Sequence, residues 1–176
     1  MQLEVYADAE EVELFLNGKS AGKAIITEKD RYKAAFELLW QPGTIEAVAY
    51  RSGTVCGRCA LTSAAGAPSL SVEPECAEVS FRQRDVIFVP IRAAGENGQT
   101  LLQRKDTVSI CIDGPAELLG FGSDDLVTEE GFTAPQHRLY DGRALLVLRP
   151  TSTGQITVTA ASQTLPAASA SITVRE

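Results

Sequence analysis

EVELFLNGKSAGKA, residues 11–24, decides the fold class. Val12, Leu14 and Leu16 alternate with Glu11, Glu13 and Phe15. A period of two puts the three aliphatics on one face of a strand. Asn17-Gly18 follows at once. Both residues tolerate positive φ, which a two-residue type I′ turn demands, so the chain reverses there into a β-hairpin.

The same grammar continues on both sides. LEVYA (3–7), KAIIT (23–27), AAFELLW (34–40), TIEAVAY (44–50) and TVCGRCAL (54–61) are apolar or alternating. Pro42-Gly43 and Ser52-Gly53 punctuate them. DRYKAAFELLW is the one segment open to a helical reading. Ala34, Phe36 and Leu38 alternate within it, so it reads as a strand. TSAAGAPS (62–69) is small and polar and ends beside a proline, as a short linker does. A second series follows: LSVEP (70–74), DVIFVPIRAA (85–94), TVSICIDG (107–114), AELLGFG (116–122), RALLVLRP (143–150), GQITVTAAS (154–162) and ASITVRE (170–176). Asn97-Gly98 and Asp141-Gly142 read as turns. Pro90 inside its run suggests an edge strand or a bulge. Many short strands separated by turns predict an all-β chain of two β-sandwich domains, residues 1–63 and 70–176, joined by 64–69. The first, at about 60 residues, is small for independent stability and leans on a neighbour.

Composition narrows the function. The 176 residues are 44% hydrophobic and 22% charged, the balance of a folded protein. No apolar run reaches 18 residues, so no membrane span is expected. The net charge is −7, split −2 over residues 1–63 and −5 over the rest, with no basic face for a nucleic acid. MQLEVYADAEEVEL lacks a basic region followed by an apolar one, so it does not read as a signal peptide. Met1 reads as a boundary inside a longer polypeptide, whose export signal, if any, lies upstream. Cys56-x-x-Cys59 is half a zinc site at best, because Cys76 and Cys111 stand alone. An odd offset along a strand also points Cys56 and Cys59 to opposite faces. All four read as buried or half-exposed free thiols, which lean towards a reducing compartment. No metal or cofactor is expected.

Two stretches carry a family resemblance. LEVYADAEEVELFLNGKSAGKA, followed by WQPGTIEAVAYRSGTVC, resembles the small immunoglobulin-like domain that follows the catalytic barrel in bacterial glycoside hydrolases of family 2, the β-galactosidase type. The span from DVIFVPIRAAGENGQTL through VSICIDGPAELLGFGSDDLVTEEGFTAPQHRLYDGRALLVLRP resembles the terminal immunoglobulin-like domain of those enzymes. Ser123 stands where the family commonly has Asn, and Tyr140-Asp141-Gly142 where Phe-Asn-Gly is common. The resemblance implies two immunoglobulin-like β-sandwiches in tandem. It implies a non-catalytic C-terminal accessory region that supports the barrel, oligomer contacts or substrate access. The parent would hydrolyse terminal β-galactosides, or else β-glucuronides or β-mannosides. A retaining glycosidase needs two carboxyl groups about 5 Å apart, set on a (β/α)₈ barrel of about 250 residues. The chain is too short for that barrel, so the catalytic pair is expected upstream and the barrel is the expected partner. The compartment, cytoplasmic or exported, is left open.

Within the chain the least strand-like tract runs from Gly122 to Gly142. Loops of this length in compact domains are uncommon and often functional. Asp124, Asp125, Glu129 and Glu130 cluster there. Such carboxylates suit a calcium ion, but the spacing is not that of an EF-hand. A solvated loop packed on a neighbouring domain is the plainer reading, and contact with substrate at the rim of the parent's active site is a third. His137, the only histidine, has no second ligand or nucleophile near it and reads as a loop residue. Trp40, the only tryptophan, stands at a strand end and reads as core or edge packing rather than a sugar platform. Ser109, Ser123 and Thr128 lack a Gly-x-Ser-x-Gly elbow. GFGSDD is no dinucleotide fingerprint. Two other classes compete. A carbohydrate-binding module predicts an exposed aromatic strip, against 6% aromatics in all. A surface adhesin repeat predicts similar tandem copies, and the two halves differ.

Overall fold

A computed structural model describes residues 1–82 and 86–176. Asp85, the first residue of the DVIFVPIRAA stretch, lies outside them. The chain divides into two compact units, Met1–Ser63 and Ala64–Glu176.

In the first unit β1 (Gln2–Tyr6) pairs with β4 (Lys33–Glu37), antiparallel. β2 (Glu11–Leu16), β3 (Lys19–Ile25), β5 (Thr44–Arg51) and β6 (Thr54–Thr62) form a second sheet in the order β3-β2-β5-β6. The Asn17-Gly18 turn has φ of 52° and 77°, as the hairpin requires. Asn17 Oδ1 accepts from the Thr44 amide at 2.9 Å, and Nδ2 donates to the Pro42 carbonyl at 3.1 Å. The turn is thereby tied to the connection that leads into β5. Val12 and Leu14 are fully buried and pack with Ala34, Phe36 and Ala49 between the layers.

Trp40 is a correction. It is 66% exposed, not core. The β1–β4 pairing ends at Gln2↔Glu37, and past it only Leu38 is hydrogen-bonded back, to Met1. β6 is the sheet edge, and every residue in it is exposed. Cys56, Cys59, Cys76 and Cys111 are free and all exposed, more so than their sequence suggested.

In the second unit β12 (Gln136–Arg138), β10 (Thr107–Asp113), β14 (Gly154–Ala161), β15 (Ala168–Arg175) and β8 (Glu78–Ser80) form one sheet in that order. β11 (Ala116–Gly122), β13 (Arg143–Pro150), β9 (Ile87–Ala94) and β7 (Ser69–Val72) form the other. Their inner faces enclose Val89, Ile91, Phe121, Leu146, Leu148, Ile156, Val158 and Ile172, all fully buried. This is a β-sandwich core. The stretch 64–68 runs against this unit: the Ala65 amide donates to Asn97 Oδ1 at 3.0 Å.

Pro90 does not mark an edge, since β9 lies between β13 and β7. The β7 pairing ends at Val72↔Ile91, and the Pro90 carbonyl accepts from the Glu73 amide on that same side at 3.0 Å. The missing N–H therefore faces the end of β7, beyond which the backbone bonds run one way, from the Glu73 and Glu75 amides to the Pro90 and Phe88 carbonyls. β8 and β12, three residues each, are too short to show a period.

Candidate functional site

The loop after β11 is built on turns and one buried ring. Asp125 Oδ1 accepts from the Val127 amide at 3.1 Å, and Thr128 Oγ1 from the Glu130 amide at 3.2 Å. Such side-chain turns let a strand-free segment satisfy its backbone locally. Leu126 and Val127 stand at the tip, 99% and 86% exposed. The Phe121 amide then donates to the Phe132 carbonyl at 2.6 Å, which brings the chain back along β11.

His137 is a second correction. It sits in the middle of β12, not on a loop, and is fully buried. Its ring stacks on Phe132, centroids 5.6 Å apart, and meets the Phe121 ring edge-on at 6.0 Å. Nδ1 lies 3.1 Å from Glu130 Oε2 and 3.0 Å from the Arg138 carbonyl oxygen. Both are acceptors, so Nδ1 carries a proton. Glu130 also accepts from the Arg138 amide at 2.9 Å. His137 Nε2 is buried without a partner among the described residues.

The structure thus joins Glu130 to His137 and separates the other candidates. Asp125 caps its turn, Glu129 is exposed, and Asp124 faces a different group of residues. Among the described residues no three His, Cys, Asp or Glu side chains gather to hold a metal ion.

Asp106 anchors the C-terminal end of the tract. Its carbonyl accepts from the Leu139 amide at 2.9 Å. Its carboxylate takes two bonds from Arg104, each 2.7 Å, and one from Thr164 Oγ1. Burial works to raise this carboxyl. The hydrogen bonds from Thr164 and Arg104 outweigh it and hold the group below its ordinary value.

A second cluster was invisible in the sequence. Arg92 on β9 and Arg143 on β13 face each other in register on the outer side of their sheet. With Ser123 and Asp124 they line a cavity of about 180 Å³. Only strand register brings these residues together, so no local motif could announce it.

Comparison with known proteins places both halves. Residues 70–171 match the family described as glycoside hydrolase family 2 C-terminal domain 5. Residues 1–57 match a domain of unknown function, DUF4982. A β-galactosidase of Bacteroides ovatus, BoGH2A, is 26% identical over 172 residues, which is 97% of this chain and 20% of that protein. A crystal structure of a glycosyl hydrolase family 2 member from Bacteroides cellulosilyticus superposes with a TM-score of 0.91 at 30% identity, covering 99% of this chain and 23% of that one. A β-glycosidase from Bacteroides vulgatus shares the fold, with a TM-score of 0.87 at 23% identity over 99% of this chain and 22% of its own. The chain therefore spans between a fifth and a quarter of the length of these relatives. It belongs to glycoside hydrolase family 2, in which it is the C-terminal accessory region.

Proposed function

We propose that this chain is the buttress of a β-galactosidase-type hydrolase whose two catalytic carboxylates lie on an upstream barrel of the same polypeptide. The observation that carries this reading is the match of nearly the whole chain to one fifth of a β-galactosidase. Each of the two sandwiches, bounded near residues 63 and 70, supports the barrel. The exposed tip of the Gly122–Gly142 tract, Leu126 and Val127 with Glu129 beside them, supplies the contact to a neighbouring domain or to a second copy of the enzyme. Two exposed aliphatics on a turn held by side-chain hydrogen bonds support that role, because such residues gain most from being covered.

The test is to recover the native polypeptide from the source organism with an antibody to this chain. A species several-fold larger than 18.8 kDa that cleaves a nitrophenyl β-galactoside faster than the corresponding glucuronide or mannoside is the expected result. A species of 18.8 kDa, or a large one that prefers another sugar, overturns it.

A further inference from the structure

The cavity of about 180 Å³ on the outer face of the β11-β13-β9-β7 sheet is lined by Pro90, Arg92, Ser123, Asp124, Arg143 and Leu145. Pro90 pairs with Leu145 and Arg92 with Arg143, directly across the two strands. Two like charges placed opposite each other do not stabilise a sheet. Arg92 is held by the Glu73 carboxylate and by Thr100 Oγ1 at 3.3 Å. Arg143 makes no ion pair among the described residues, and neither does Asp124, although both line the same cavity.

The lining selects its ligand. The charges of Arg92 and Arg143 are matched by those of Glu73 and Asp124, so there is little net field to hold an anion. What remains unpaired are a donor, the Arg143 guanidinium, and an acceptor, the Asp124 carboxylate. A pair of neighbouring hydroxyls donates and accepts at once and would bridge the two. Pro90 and half-exposed Leu145 offer an apolar floor for the C–H face of a ring. The volume is below the roughly 300–1,000 Å³ that encloses a drug-sized molecule, so the space suits one ring. We propose that this cleft is a subsite for a single neutral pyranose unit, whose vicinal hydroxyls bridge Asp124 and Arg143 over Pro90 and Leu145. This subsite does not depend on which sugar the parent cleaves.

The test is an NMR titration of the 176-residue chain with methyl β-D-galactopyranoside, methyl β-D-glucopyranoside and sodium glucuronate. The expected result is a saturable shift of the Arg92, Ser123, Asp124 and Arg143 amides with a neutral glycoside, at a dissociation constant on the order of 1–10 mM. Asp124→Ala and Arg143→Ala each weaken it about tenfold. Both side chains are exposed, so the midpoint of thermal unfolding stays within about 2 °C of the parent chain. Shifts grouped elsewhere, or none below about 100 mM, overturn the proposal. So does binding that survives both substitutions. Tighter binding of glucuronate than of the neutral glycosides also overturns it and marks an anion site instead.

Discussion

His137 and Asp106 hold the long tract of the second unit at its root, and each makes a prediction. His137 fills a fully buried space between Phe121 and Phe132. His137→Ala removes the ring and leaves Glu130 without one of its donors, at a cost of about 3 kcal/mol in urea unfolding. Glu130→Gln keeps an acceptor for the Arg138 amide and costs less than half of that. Asp106 has its carboxyl held low in the folded state. The stability it adds is therefore complete above the ordinary carboxylate range near pH 4 and is lost as pH falls through the lower folded value. Asp106→Asn should destabilise the second unit by about 2 kcal/mol at pH 7. It should also flatten the acid limb of stability against pH; an unchanged limb would show that Asp106 does not contribute to it.

At the scale of elements, turns carry the conformational burden. Asn17 holds φ at 52° and makes two hydrogen bonds to the 42–44 connection. Asn17→Ala loses both bonds and strains a left-handed position, at about 2 kcal/mol in thermal unfolding of the first unit. Asn17→Gly loses the bonds alone, at about 1 kcal/mol. The difference between the two variants isolates the backbone cost. Gly142, with φ of 69°, closes the turn into β13, and an added Cβ would lie 2.4 Å from the Leu101 carbonyl oxygen. Gly142→Ala therefore displaces backbone as well as straining φ, and lowers the melting of the second unit by more than Asn17→Gly lowers that of the first.

Across the whole molecule each unit closes its own core. Seven buried apolar residues form that of the first unit and eighteen that of the second, among the described residues. Leu14 and Leu146 are both fully buried, one in each. Calorimetry should resolve two transitions, the first unit melting at the lower temperature because its core is smaller. Leu14→Ala should lower only that transition and Leu146→Ala only the other, each by about 3 kcal/mol. A single transition shifted equally by both substitutions would contradict this picture.

Strand identity and turn position were legible in the chain itself, because both are local. Alternation over five to eight residues and the φ preference of Asn-Gly, Ser-Gly and Asp-Gly need no distant partner. They located the hairpin at Asn17, the Ser52-Gly53 turn and the strand after Asp141-Gly142. Layer order and register were not legible, because they depend on which distant strands pair. Tertiary structure alone placed Pro90 in an inner strand, left Trp40 and all of β6 in solvent, and buried His137 against two phenylalanines. It alone set Arg92 opposite Arg143, more than fifty residues apart in sequence, to make the cleft.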